Sequence, residues 1–484
     1  MHIRIGEGSR FAFVFVALPR WQFSEELRQQ VQDLLLADLG GSYADYGVYI
    51  DRYDNAVIHF YVTGVGPLRH ADTEALREKV LAHARSWSDR LRQAVTAIAT
   101  EARAEELIEI YEDAFNEEHK RRCSVERIKG DILCLESVRA GAMVACDLYV
   151  SEFGDHPGSL NLRVFSREPI NLSRELPVLT SFGFEVVDEY SRDIHVPHLP
   201  VIDMDNFRFA MRPVHIGKVM TRRRNIVQAL QDVFEGRAGE DDLNRLVVVS
   251  DLTARDVDVL RAYVAHLHQL RLPFDSAVVR STLVEHPSVA AALMAWLAAR
   301  FNPKVATPEA AEASEAALAK ELREITDYTA DRVLQAVAEL VRATRRTNCY
   351  VVDRDGGAAM AFKVASRHLS YGPEPKPFRE IWVYHPDFEG VHLRGGKVAR
   401  GGLRFSDRPD DFRTEIHGLM STQMVKNVLI IPMGAKGGFV LRRPPSERDA
   451  LRAAGDHYYG KFIRALLSVT DNVVDGKPTT PPGI

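Results

Sequence analysis

The 484-residue chain is short of several things that would define its chemistry quickly. It holds four cysteines, Cys123, Cys134, Cys146 and Cys349, none in a C-x-x-C pair. That excludes a disulfide framework and a zinc knuckle, and reduced, buried thiols are expected. No apolar run approaches bilayer length; Phe11–Leu18 is among the longest and is strand-sized, so no membrane span is expected. Positive charge is not in excess. With a net charge of −5 the chain lacks the basic footprint of a nucleic-acid binder. No charged-then-apolar leader opens it, so the expected location is the cytoplasm. Phosphate-cradling motifs are missing as well. Gly434-Ala435-Lys436-Gly437-Gly438 lacks P-loop spacing, and Gly6-Glu7-Gly8-Ser9-Arg10-Phe11 ends in Phe where a dinucleotide fingerprint needs a third glycine. His195 and His198 have no accompanying carboxylate-bearing helix, so no metal site is expected, and the Asp203/Asp205 pair, with no phosphate-binding glycine loop beside it, is read as a turn.

What is present is ordinary globular composition, 46% hydrophobic and 27% charged, in a chain long enough for several domains. Residues 1–65 read as strand, helix, strand, strand. Arg10–Leu18 is apolar, Phe23–Leu39 is an amphipathic helix begun by Ser24 and stopped by Gly40-Gly41, and Ser42–Asp51 and Ala56–Thr63 alternate around Asp54-Asn55. This order fits a small ferredoxin-like α+β sandwich. A charged helical connector, expected as two long helices, fills 66–125. A second α+β segment spans 126–216, with strands at Ser159–Phe165, Phe184–Ile194 and Asn206–His215 and a helix at Asn171–Ser181. Residues 217–346 are read as a helical domain punctuated by Pro273, Pro287 and Pro303; within it Leu243–Ser250 is of ambiguous type and Ala306–Ala319 is either a solvated helix or a linker. From 347 to 484 the pattern turns to α/β. Strands are expected at Cys349–Val352, Ala359–Val364, Glu380–Tyr384 and Val428–Pro432, and helices at Thr414–Lys426 and Glu447–Val469. Asp471–Ile484 is expected to hold no further element.

The chemistry concentrates in Val398–Leu441. Two glycine pairs each adjoin cations, Arg400-Gly401-Gly402-Leu403-Arg404 and Lys436-Gly437-Gly438, with Gln423 and Lys426 on the helical pattern between them. Paired glycines let backbone N–H groups approach an anion, and the cations hold it. The link from Lys426 to Lys436 is expected to be a helix end, a strand and a turn, which lets both side chains reach one pocket. Two neighbouring ammonium groups disfavour each other's protonation, so one suits acid/base or carbonyl chemistry while the other holds a carboxylate. Asp407, Asp410 and Asp411 are expected to pair with Arg404, Arg408 and Arg413. Arg222–Arg224 is read as a solvated face.

GVHLRGGKVARGGLRFSDRPDDFRTE, followed by QMVKN and GAKGGF, resembles the substrate-domain signature of the large bacterial NAD-dependent glutamate dehydrogenases. The resemblance extends upstream through FVALPRWQFSEELRQQV, similar to an ACT-like regulatory segment, and through NRLVVVSDLTARDVDVLRAYVAHLHQLRLPF and ATRRTNCYV. It implies a multidomain α/β and α+β protein with ACT-like β-α-β-β segments, a helical domain and the substrate-binding part of a catalytic domain. It implies oxidative deamination of L-glutamate by NAD to 2-oxoglutarate and ammonium, in a homo-oligomer. Lys436 takes the place of the catalytic lysine, Lys426 and Gln423 those that hold the α-carboxylate, and Arg400 that of the cation near the side-chain carboxylate. Gly401 and Gly402 let the backbone close on the substrate. The resemblance also implies that the catalytic aspartate and a Rossmann domain for NAD lie beyond Ile484, so the chain is expected to be a fragment that is inactive alone. The competing expectation is a standalone amino-acid-binding regulatory or assembly module built from the ACT-like segments.

Overall fold

The computed structural model describes residues 1–20, 23–70, 72–84, 87–151, 156–197, 199–351, 357–426 and 433–484, with only the backbone of 7, 26, 82–84, 121–122 and 425–426. They fall into two compact units, Met1–Arg174 with Phe184–Thr221, and Glu175–Gly183 with Arg222–Ile484.

The first unit contains two four-stranded antiparallel sheets of one topology. Strands β1 (His2–Ile5), β2 (Phe11–Pro19), β3 (Tyr43–Ile50) and β4 (Asn55–Thr63) lie in the order β1-β2-β4-β3. Strands β5 (Val144–Val150), β6 (Leu160–Ser166), β7 (Val186–Ile194) and β8 (Ile202–Phe209) repeat it as β5-β6-β8-β7. In β2 the period-two alternation buries Ala12, Val14, Val16 and Leu18 against Leu27, Val31, Leu35 and Leu39 of the Glu25–Leu39 helix. The Ser24 side chain caps that helix by accepting from Leu27 N–H, and Gly40 ends it at φ 68°, a left-handed stop. The leading strand of each sheet, β1 and β5, was not foreseen. The connector is four shorter helices rather than two long ones: Thr73–Ala84, Trp87–Thr96, Glu101–Tyr111 and Glu117–Arg122. The expected strand at Asn206–His215 starts earlier, at Ile202, and gives way to a helix at Pro213–Thr221. His198, one of the paired histidines, lies outside the described residues.

The second unit opens with helices and closes on a six-stranded sheet. Thr253 and Asp256 form a capping box at the start of the Ala254–Gln269 helix, and Pro287 occupies the first turn of Pro287–Phe301. Pro308–Arg323 is a helix, resolving the solvated-helix reading over the linker. Leu243–Ser250 is likewise helical, over Asp242–Asn244 and Arg245–Val249. No single described helix is long and apolar enough to cross a membrane.

Strands β9 (Thr344–Thr347), β10 (Met360–Val364), β11 (Arg379–Tyr384), β12 (Phe388–Arg394), β13 (Ala399–Phe405) and β14 (Met433–Leu441) lie in the order β13-β14-β12-β11-β10-β9. All neighbours are antiparallel except β13 and β14, which run parallel. The helix Phe412–Lys426 joins that parallel pair, as a crossover must. The first strand sits at Thr344–Thr347, not Cys349–Val352, because pairing with β10 claims the residues straight after the Tyr328–Ala343 helix. The expected strand at Val428–Pro432 lies outside the described residues. Past the Arg448–Ser468 helix, a ribbon of β15 (Asn472–Val474) and β16 (Lys477–Thr479) turns through Asp475 and Gly476, both at positive φ. Asp471–Ile484 is therefore not the featureless loop expected.

Candidate active site

Both glycine pairs lie inside strands, and the residues straight before Lys436, where a turn was expected, are already strand from Met433 on. Parallel register sets Arg400 beside Gly434, Gly402 beside Lys436 and Arg404 beside Gly438. Side chains alternate across a sheet, so Arg400, Gly402, Arg404 and Lys436 share one face. Within β14 Lys436 is flanked on that face by Gly434 and Gly438, and across β12 by Leu393.

The helix Phe412–Lys426 packs on this same face through Ile416, Met420 and Gln423, spaced at helical period. A Cβ on Gly438 would stand 2.6 Å from Ile416 Cδ1, and one on Gly434 would stand 2.7 Å from Gln423 Cβ. The glycines thus let the helix lie directly on the strand. Gly401 is equally constrained, since a Cβ there would stand 1.4 Å from the Ala435 carbonyl oxygen of β14. Gly402 is different: no atom of the described residues lies within 4 Å of where its Cβ would be. An open place therefore adjoins Lys436 in the row between β13 and β14.

Three polar groups meet this open place without spending their bonding capacity inside the fold. Arg400 is exposed and Lys436 half-buried, and neither forms a hydrogen bond or ion pair among the described residues. The carboxamide oxygen of Gln423 is buried and has no partner among them. Oxygen and nitrogen of an amide are interchangeable by a flip, so Gln423 can meet either an acceptor or a donor. Lys426 ends the helix one turn beyond Gln423, and its side chain lies outside the described residues. The structure thus brings Arg400, Gly402, Gln423 and Lys436 to one face and uses Gly401 to hold β13 against β14.

The expected acidic–basic cluster is redistributed. Arg408 pairs with Asp411 as expected, its Nε standing 2.8 Å from Oδ1. Arg404 instead meets Glu415 at 2.9 Å, and Arg413 turns inward. There its guanidinium donates to both oxygens of Glu380, at 2.8 and 2.6 Å. His266 Nε2 stands 2.6 Å from the same carboxylate, Ser366 Oγ donates to it at 3.0 Å, and the His266 ring stacks on Trp382. Glu380, Arg413 and His266 are at most 1% exposed. The Arg413 and His266 contacts hold the Glu380 carboxyl well below the usual carboxylate range, against the opposing cost of burial, while burial pushes His266 down. This network ties Ala254–Gln269 and β11 to the first turn of the helix that carries Gln423. Sequence reasoning missed it because its members lie up to 147 positions apart and no local pattern joins them.

One group could hold a metal by proximity, His119, Cys123 and Asp131 in the first unit. Asp131 is already bound by the guanidinium groups of Arg127 and Arg163 and by His119 at 3.1 Å. Two buried guanidiniums repel a cation, so this donor set does not suit one.

The comparisons fit this architecture. The family model for the catalytic domain of bacterial NAD-glutamate dehydrogenase matches residues 317–484, which hold the six-stranded sheet. Models for glutamate dehydrogenase helical motif 3, ACT2 and ACT3 match 238–303, 1–88 and 143–215. The chain belongs to the bacterial NAD-glutamate dehydrogenase family. The ACT2 and ACT3 matches fall on the two four-stranded sheets. The NAD-specific glutamate dehydrogenase of Halomonas elongata is 35% identical over 99% of this chain, and that of Mycobacterium tuberculosis 35% over 96%. That of Pseudomonas aeruginosa is 32% identical over 98%. The chain spans 30% of the length of each of these relatives.

Among the described residues, the parallel crossover of the sheet does not fit NAD. The one parallel β-helix-β crossover of the sheet would offer its helix N-terminus to a pyrophosphate. That turn is Ser406-Asp407-Arg408-Pro409-Asp410-Asp411, with three carboxylates and no glycine, and Glu415 follows in the first helical turn.

Proposed function

We propose that this chain supplies the glutamate-binding face of an NAD-dependent glutamate dehydrogenase, which converts L-glutamate to 2-oxoglutarate and ammonium. The observation that carries the proposal is the shared face of Arg400, Gly402 and Lys436, with Gln423 on the helix above. A dicarboxylate needs two cationic ends and an open floor, and this face has both. Arg400 takes the side-chain carboxylate, and Gln423 with Lys426 takes the α-carboxylate. Gly401 keeps β13 close to β14, and the bare backbone at Gly402 leaves room for the substrate between them. Lys436 is the catalytic residue, placed beside the substrate's α-carbon to polarise the imino or keto carbon and to activate water. Its neighbours Gly434 and Gly438 offer no side chain that competes for the ammonium.

NAD binds residues outside this chain in this account, in keeping with relatives roughly three times as long and with the acidic crossover turn. The chain alone is accordingly inactive, and full activity belongs to a homo-oligomer of the longer protein in the cytoplasm. The test is absorbance at 340 nm with purified chain, saturating glutamate and NAD. No NADH is expected. Steady NADH production that disappears in Lys436→Ala would overturn the placement of the cofactor site elsewhere.

A further inference from the structure

The opposite face of the same sheet carries a second, unassigned feature. A cavity of about 390 Å³ is lined by Lys363, Arg379, His392, Arg394 and Lys397, with Phe378 as an aromatic wall. Register separates it from the face of Lys436. Lys363 aligns with Ile381, Ile381 with His392 and His392 with Gly437, and Arg379 aligns with Arg394 and Ala435. Gly437 and Ala435 are the immediate neighbours of Lys436 in β14 and point the other way.

Among the described residues no carboxylate lines this cavity, and Asp471, just past Thr470 in its wall, is paired with Arg346. Elsewhere in the unit arginines find acids: Arg346 with Asp471 at 2.6 Å, Arg413 with Glu380 and Arg443 with Asp387. The four cations here do not. Arg379 donates to the adjoining Phe378 carbonyl at 2.9 Å, Arg394 to the Lys397 carbonyl at 2.9 Å, and Lys363 to the Val469 carbonyl at 3.4 Å. Lys397 is exposed and makes no contact of this kind among the described residues. Gathering like charges around a concavity costs free energy unless an anion fills it. The stress is visible in the groups themselves. Burial, then Arg346, with smaller contributions from Arg394 and Arg379, holds the Lys363 ammonium below the ordinary lysine range, against a partial offset from the Asp471 carboxylate that Arg346 already pairs. Burial and Arg394 bring His392 to about 4, so near neutrality it serves as a neutral hydrogen-bonding group.

We infer that this cavity binds a compact organic polyanion with three or more negative charges, at a site separate from the glutamate-binding face. Charge count sets the class. A monoanion leaves three of the four cations uncompensated and a simple dicarboxylate two, whereas a pyrophosphate-bearing molecule or a tricarboxylate leaves one at most. The planar forks of Arg379 and Arg394 suit either oxyanion, and the Phe378 ring gives a flat wall to a moiety attached to it. The inference does not rest on the proposed function.

Isothermal titration calorimetry on the purified chain, at physiological ionic strength, tests it with inorganic pyrophosphate and citrate as separate probes and acetate as the monovalent control. At least one polyanion should bind well above acetate, and the stronger of the two names the source chemistry. Arg394→Gln should weaken that binding by about tenfold or more, the loss of one charge-assisted contact. Lys397→Ala, at an exposed position that folding does not depend on, should also weaken it severalfold. Lys436→Ala should leave it unchanged, which separates this site from the catalytic face. Absence of heat with both polyanions at millimolar concentration would overturn the inference. So would binding indifferent to Arg394→Gln and Lys397→Ala, or binding lost in Lys436→Ala.

Discussion

Glu380→Gln is the substitution whose cost the structure defines most fully. Glu380 is fully buried and receives both donors of Arg413, a ring nitrogen of His266 and the hydroxyl of Ser366. The amide keeps the shape and removes the charge, stranding the Arg413 guanidinium in a site that is 1% exposed. Removing one partner of a buried pair costs about 3–5 kcal/mol, because the remaining charge stays desolvated. With an unfolding slope of roughly 3 kcal/mol/M, the urea midpoint of the second unit should fall by about 1–1.7 M. Trp382 stacks on His266 with ring centroids 4.8 Å apart, so its fluorescence reports this region. The double variant Glu380→Leu with Arg413→Met should recover much of the loss, since an apolar pair in such a site is often neutral. A cost below about 1 kcal/mol for Glu380→Gln, or additive effects in the double variant, would refute the reasoning.

Three further outcomes are expected. Gly401→Ala should disrupt the β13–β14 pairing and lower the thermal midpoint by several degrees, as its Cβ has no room beside the Ala435 carbonyl, whereas Gly402→Ala should leave the midpoint unchanged yet weaken glutamate binding by filling the open place. Burial brings His385 from 6.5 to about 4. A histidine with a depressed folded-state value contributes its stability fully above 6.5 and loses it as pH falls toward 4, so the second unit should lose up to roughly 3 kcal/mol from this residue over that window. Urea midpoints measured from pH 7 to pH 4 check this, and His385→Gln should flatten the profile; an unchanged slope would count against it. Arg413→Ala should weaken glutamate binding as well as stability, because Arg413 anchors the first turn of the helix that holds Gln423; titration at a temperature where the variant is fully folded separates the two.

Much of the architecture was legible because local signals agreed with tertiary packing. Ser24 and Gly40-Gly41 bounded their helix almost to the residue, and the alternation in β2 marked the buried face. Errors came where partners decided. Glycine is weak in strands by its own preference, so a turn was expected on the way into Lys436-Gly437-Gly438; the close approach of Ile416 and of Leu403 reverses that preference and the strand runs through. Thr344–Thr347 is a strand only because β10 is there to pair with it. The connector between the first two sheets looked like two long helices because its breaks rest on single capping residues, such as Asn116, which accepts from His119 N–H. At the site, the cations and glycines were visible in the sequence, while their common face depended on the β13–β14 register. Arg404 and Arg413 were expected among the neighbouring aspartates, and both found glutamates instead, one of them in the core.

At the centre stands one dicarboxylate site across β13 and β14, with the side-chain carboxylate on Arg400 and the α-carbon beside Lys436. Calorimetric titration of the purified chain with L-glutamate and with L-glutamine tests it directly. Glutamine keeps the shape and lacks the side-chain charge, so it should bind about tenfold to a hundredfold more weakly, the worth of a hydrogen bond to a charged group. Arg400→Ala should erase that difference, and Lys436→Ala should weaken both ligands. Glutamate binding that is insensitive to both substitutions would contradict the account and place the ligand elsewhere, in favour of an amino-acid-binding module built on the ACT-matched sheets.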